Sequence, residues 1–355
     1  MKIIKTEPAT VTHEGEGDGP VPMTVLRELS LSSAGAAALR VASRIGIADL
    51  LGDAPVPTAE LAAALQADPE VLERLLRTLK QYGIFTETPE GHVHTPASRL
   101  LREDHPETLK FWVQWVTEPW TWELWPHLEE AVRTGKGHFE ERYGTDFFTH
   151  LHRESPESTE VFNRSQTELS RLASDAIADR LDLRGVRTLA DIGGGRGHTL
   201  ATLLERNPDL DGTLVDLPAA VAEPDPRLRP GGALSARARA VAGDCLKEIP
   251  VEADVYLFKS ILEWGDDRTV TALRNAARAG HPGSRIVVIT NLVDDSPEIR
   301  YATGIDLLFL LNTDGKRHTK KGVTALVERA GLRLEGVAPL TSHLHAVEAS
   351  VPPGS

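Results

Sequence analysis

The chain has a single cysteine, Cys245, among its 355 residues, so no internal disulfide can form, which fits a reducing compartment. It lacks an apolar run of membrane-spanning length, and its start lacks a charged region followed by an apolar one; both absences predict a cytoplasmic protein with no membrane partner. Neither an HExxH nor a paired CxxC occurs, and His343 and His345, expected on one face of the last strand, have no third ligand at a suitable spacing, so no metal is expected. No cluster of Lys and Arg offsets the net charge of -13, which opposes nucleic acid and favours small-molecule chemistry. Aromatic residues make up only 5% of the chain, yet five of the six tryptophans fall between Trp112 and Trp125.

With 41% hydrophobic residues, the chain is long enough for two cores. Residues 1–20 are rich in Glu, Gly, Pro and Thr without periodicity and are expected to form a disordered tail. Residues 21–105 begin with helical patterning from Val25 through Ile45, followed by two helices, Thr58–Leu65 and Pro69–Leu79, and by a hairpin about Pro89-Glu90-Gly91. That order predicts a winged helix. A DNA-binding role is disfavoured by charge: between Pro57 and Asp104 five basic residues stand against eight acidic ones, a net of -3, where a phosphate-binding face needs the opposite sign. Residues 106–182 are read as a helical region lining a substrate, and residues 183–355 as an α/β domain with a mostly parallel, Rossmann-like sheet, covered on both faces and ending in an antiparallel hairpin.

The α/β domain opens with Thr188-Leu-Ala-Asp191-Ile-Gly193-Gly194-Gly195-Arg-Gly197, a buried strand that stops at an acid and turns through glycines. Bare backbone there lets a ligand approach closely. The glycines do not follow G-x-G-x-x-G, and a carboxylate beside the loop repels phosphate, which disfavours a nicotinamide dinucleotide. The next strand ends at Asp216-Leu217, where an acid can hold both ribose hydroxyls, and the third ends at Gly243-Asp244-Cys245, where an acid can accept from an adenine amino group. Three strand-end acids around a glycine turn point to S-adenosylmethionine. Cys245 is either a small buried apolar residue or a stacking surface near the adenine; Lys259 and Ser260 complete the candidate cofactor set.

The series Asp-Ile-Gly-Gly-Gly, Leu-Val-Asp-Leu-Pro, Ala-Gly-Asp, Ala253 to Lys259, Pro282 to Ile289 and Asp306-Leu-Leu resembles the small-molecule O-methyltransferase family of caffeate and anthracycline methyltransferases. The resemblance runs from about residue 25 to the end. It implies a homodimer built on the N-terminal element, a phenolic aromatic substrate and a place in secondary metabolism. Trp112, Trp115 and Trp120 are either core or a stacking wall for a flat substrate; Phe162, Gln166, Trp264, Asn291, Phe309 and Asn312 are further candidates for that wall.

Methyl transfer is a displacement at a carbon already activated by the sulfonium, so positioning, worth on the order of 7–11 kcal/mol, dominates. A general base that takes the phenolic proton adds about 10²–10⁴-fold. In plant-like members a histidine does this, in Lys-His-x-Leu-His-x-Trp, helped by two glutamates. The present chain reads Lys259-Ser260-Ile261-Leu262-Glu263-Trp264, so Glu263 replaces the histidine, while Thr290 and Arg317 stand at the two acid positions. The family's histidine mechanism therefore does not carry over. Glu263 is read as a base, a helix N-terminal acid, a partner for Arg317 or a receptor for a substrate ammonium; His318 and His138 are other candidate bases. O-methylation is the leading expectation, with ring C-methylation of a hydroxylated aromatic, such as an aromatic amino acid derivative, or non-methylating chemistry as alternatives.

Overall fold

The computed structural model describes residues 22–353, and the tail expected over residues 1–20 lies outside them. The first helical stretch is interrupted. Helices Pro22–Ser30 and Ser32–Ile45 are separated at Leu31, where Ser30 Oγ donates to Leu26 O at 2.6 Å and Ser32 Oγ to Leu29 O at 2.9 Å. Side chains that compete for backbone carbonyls explain why one periodic stretch becomes two helices.

Helices Thr58–Leu65 and Pro69–Gln81 follow, the second started by Asp68, whose carboxylate accepts from Val71 N–H at 2.9 Å with Pro69 in the first turn. Strands β1 (Phe85–Thr88) and β2 (Gly91–His94) form the expected hairpin, with Gly91 at φ 144 packed so close to the Val56 backbone that no side chain fits. Leu61, Leu72, Leu76, Leu79 and Phe85 close a separate N-terminal core.

The larger sheet contains β3 (Thr188–Ile192), β4 (Asp211–Asp216), β5 (Ala238–Ala242), β6 (Val255–Lys259), β7 (Arg285–Thr290), β8 (Arg333–Pro339) and β9 (His345–Ser350) in the order β5-β4-β3-β6-β7-β9-β8. All pairs are parallel except those of β9, which runs antiparallel to β7 and β8. Successive residues face opposite layers. Leu189, Leu214, Leu257 and Val287 pack with Leu200, Leu204 and Ile177, while Ala190, Val215, Phe258 and Val288 pack with Leu273, Ala276 and Val327. The strands run from β3 outward through β4 and β5 on one side and from β6 through β7 on the other, with the β9–β8 hairpin beyond β7, so the sheet has its switch point between β3 and β6, where α/β folds bind ligands at the carboxyl ends of the strands.

Helix Pro156–Arg180 joins this sheet to a fourth cluster of aromatics: Val161 packs with Phe111, Trp115, Phe139 and Phe147, and Ile177 with the sheet leucines. One expected pairing is absent: His345 opens β9 and is buried, whereas His343 lies in the bend before it, so the two share no strand face.

Candidate active site

The glycine turn after β3 is built by backbone geometry. Gly193, Gly195 and Gly197 have φ of 65, 60 and 80, in the left-handed region that favours glycine. A Cβ on Gly193 would overlap the Ile261 side chain, and one on Gly194 would overlap the Asp191 carboxylate, but one on Gly195 would project into open space. That open space belongs to a cavity of about 960 Å³ at the carboxyl ends of β3, β4 and β6.

Asp216, at the end of β4, lines the cavity and accepts from Gly195 N–H at 2.8 Å and Leu217 N–H at 2.6 Å. Burial nevertheless pushes its carboxyl up to about 6. Leu217, Gly243, Asp244, Cys245, Lys259 and Ser260 are also at the wall. Cys245 is buried, and burial, followed by the charges of Asp244 and Asp216, drives its thiol up to about 12, which makes it a packing group rather than a nucleophile. Ser260 adopts φ 53, a conformation that costs a non-glycine residue energy, at the point where β6 enters the site.

Asp191 departs from its expected place on the wall. Leu189 and Asp191 share one parity on β3, so the carboxylate points into the leucine layer behind Gly194, with no side-chain hydrogen-bond partner and the Leu200 backbone N–H nearby. Burial raises it to about 7, opposed by the nearby Lys259 ammonium, whose own value burial lowers. A buried acid and lysine beneath a glycine cradle give the site a polar floor.

The opposite walls are aromatic. Trp112, Trp115, Phe162, Gln166, Trp264, Phe309 and Asn312 line the same cavity. Trp120 and Asn291 do not: Trp120 is half-buried and packs against the aromatic cluster, 5.3 Å from the Phe147 ring and 6.3 Å from Phe139, and Asn291 is buried beyond the end of β7. The cavity also receives Asp146, Phe148, His152 and Tyr301, which sequence reasoning missed. A signal existed for some of them. Asp146 caps helix Phe147–Glu154 by accepting from Thr149 N–H, and Phe148 and His152 lie four apart on that helix; Tyr301, Phe309 and Asn312 lie eight and eleven residues along one face of helix Ile299–Thr313. His152 has a buried, unpartnered Nδ1, and burial lowers its affinity for a proton.

Glu263 is buried and faces the cavity. Thr290 Oγ1 donates to Glu263 Oε1 in a long contact of 3.4 Å, so two of the three positions where the sequence departs from the expected pattern meet. The third does not join them: Arg317 lines the cavity but makes no ion pair with Glu263. His318 is a correction as a base. It is buried off the cavity wall, where Nε2 lies 2.7 Å from Leu262 O, because the loop after helix Ile299–Thr313 turns its ring inward. His138 is likewise remote, stacked 3.5 Å from the His127 ring and beside Glu141.

Residues 125–333 match the family profile described as the O-methyltransferase domain, and residues 28–104 match the O-methyltransferase dimerisation domain. The chain belongs to the O-methyltransferase family. It is 37% identical over 309 residues to the mitomycin biosynthesis 6-O-methyltransferase of Streptomyces lavendulae, covering 86% of this chain and 87% of that one. It is 32% identical to the phenazine O-methyltransferase PhzM of Lysobacter antibioticus over 95% of this chain and 98% of the other. Among solved structures, CalO1, a methyltransferase in calicheamicin biosynthesis in its S-adenosylhomocysteine-bound form, superposes with a TM-score of 0.81 at 30% identity, covering 93% and 98% of the two chains.

This O-methyltransferase is therefore an S-adenosylmethionine-dependent enzyme that carries the family's dimerisation domain. The site has room for that cofactor: a Cβ-free cradle at Gly195 and acids at the ends of successive strands fit an adenosyl ligand. Among the described residues, no helix is long and apolar enough to cross a membrane.

Proposed function

We propose that the enzyme methylates a phenolic oxygen of a flat, multi-ring aromatic compound of secondary metabolism, with Glu263 as the proton acceptor. The observation that carries this reading is that one cavity joins the glycine and acid wall, the Glu263 carboxylate and the tryptophan wall. The names of the relatives, a mitomycin and a phenazine methyltransferase, support an aromatic substrate of antibiotic type.

When bound, S-adenosylmethionine supplies a methyl group on a positively charged sulfur, ready for displacement. Asp216 and Asp244 are assigned to the ribose and adenine, Gly193, Gly194, Gly195, Leu217, Gly243, Cys245 and Ser260 to the surrounding walls, and Asp191 and Lys259 to the polar floor. Trp112, Trp115, Phe162, Trp264 and Phe309 stack on the substrate and exclude water, while Gln166 and Asn312 offer polar contacts at its edge. Glu263 accepts the hydroxyl proton as the new carbon–oxygen bond forms, and Thr290 holds one of its oxygens so that the other faces the substrate. The division into residues 21–105 for the dimer, 106–182 for the substrate wall and 183–355 for the cofactor belongs to the same proposal, as does a cytoplasmic location, supported by the single unpaired cysteine.

Incubation with ¹³C-methyl S-adenosylmethionine and a panel of hydroxylated polycyclic aromatics tests this reading. The expected product carries its label in a methoxy group by NMR. A label attached to ring carbon, or no binding of the cofactor by calorimetry, would overturn it.

A further inference from the structure

Arg317 stands at the aromatic end of the cavity without an ion-pair partner for its guanidinium. Its side chain makes no hydrogen bond or ion pair among the described residues, and its Nε is buried with no partner. Other cations at the wall have an acid nearby: Arg196 pairs with Glu160 at 2.9 Å, Lys247 lies 3.4 Å from Asp244, Lys259 sits beside Asp191, and the charge of Arg268, which lies 5.3 Å from the Trp264 ring, acts on the Asp146 carboxylate. Arg153 is exposed to solvent.

The backbone that carries Arg317 is held firmly. Its N–H donates to Asp306 Oδ1 at 2.6 Å, Lys316 N–H donates to Glu263 O at 3.1 Å, and Gly315 N–H to Phe309 O at 3.1 Å. A fixed loop thus presents a guanidinium whose carbon lies 5.5 Å from the Phe309 ring, with the Tyr301 phenol within its electrostatic reach. Leaving a guanidinium unpaired against apolar walls is costly, and an anionic ligand removes that cost. The planar fork matches the two oxygens of a carboxylate better than a single phenolate oxygen, which a lysine would serve as well.

We propose that Arg317 is an anion subsite of the substrate cavity, which takes the carboxylate of a hydroxylated aromatic acid. The inference rests on the phenolic-substrate reading and narrows it to aryl acids. The acid group would lie at the Arg317 end while the reacting hydroxyl faces Glu263, so that the two charged residues divide recognition from proton transfer.

The test uses full-length enzyme loaded with S-adenosylhomocysteine and a matched pair of probes, a hydroxynaphthoic acid and its methyl ester, measured by calorimetry. Wild type should bind the acid about tenfold or more tightly than the ester; Arg317→Gln should bring the two within about twofold of each other without weakening the ester, and Arg317→Lys should restore part of the preference. Thermal unfolding of both variants checks that they fold. Equal affinity of wild type for acid and ester, a preference that survives in Arg317→Gln, or failure of both probes to bind would overturn the proposal. Methyl transfer to phenols without any acid preference removes the subsite and leaves the phenolic-substrate reading standing. Acid preference in binding without methyl transfer to any phenol does the reverse.

Discussion

The backbone carbonyl of Glu263 accepts a hydrogen bond from Lys316 N–H at 3.1 Å, which ties the segment after β6 to the loop after helix Ile299–Thr313. The bond brings Glu263 and Arg317 to one cavity through backbone contacts while their side chains make no ion pair with each other. Where the sequence resemblance leads one to expect a histidine and two acids, the chain has Glu263, Thr290 and Arg317. A carboxylate side chain and a guanidinium thereby line the same cavity.

The buried Asp191 gives a test of stability against pH. Its folded-state value, about 7, lies above the ordinary value of about 3.9, so the folded protein holds an extra proton across that window and stability falls as pH rises through it. Asp191→Asn cannot titrate. Urea denaturation of the ligand-free proteins between about pH 5 and 8 should show the variant gaining on wild type as pH rises, by at most about 1.4 kcal/mol per pH unit. Parallel curves would show that Asp191 is not held protonated by burial.

Two tryptophans should separate by their roles. Trp112 lines the cavity, so Trp112→Ala is expected to raise KM about tenfold or more with modest loss of stability. Trp120 packs against Phe139 and Phe147, so Trp120→Ala should lower unfolding free energy by about 3 kcal/mol and change KM little. Equal effects of both substitutions on KM would return Trp120 to the substrate wall.

The dimerisation region leaves large apolar side chains uncovered in the single chain. Leu29 and Leu31 are 69% and 68% exposed, and helix Pro22–Ser30 buries none of its residues. An apolar surface of this kind is stable in water when a second copy covers it. Light scattering should find two copies per particle in wild type and a monomer or an aggregate in Leu29→Glu/Leu31→Glu. A well-behaved dimer of the double variant would place the interface elsewhere.

Much of the cofactor side was legible in the sequence because chain-local rules set it. A glycine with positive φ is demanded where β3 turns, and Asp216 and Asp244 fall at or just past strand ends whatever packs around them. Which way a side chain points was less legible. Asp191 follows the two-residue alternation of β3 away from the cavity, and Trp120, Asn291 and His318 have depths set by the docking of distant helices and loops. Tyr301 and His152 reach the cavity from helices whose facing side is decided only when the aromatic cluster assembles. The Thr290 contact with Glu263 joins residues 27 apart and has no periodic signature.

Glu263 is the residue proposed to take the substrate proton. Glu263→Gln keeps the shape of the side chain and its contact with Thr290 but removes proton acceptance. The decisive measurement is single-turnover methyl transfer by this variant across pH, with S-adenosylmethionine affinity measured in parallel. A proton-accepting Glu263 predicts a loss of about 10²-fold or more with cofactor binding intact. Turnover within about threefold of wild type at every pH would contradict it, because positioning alone would then account for the rate.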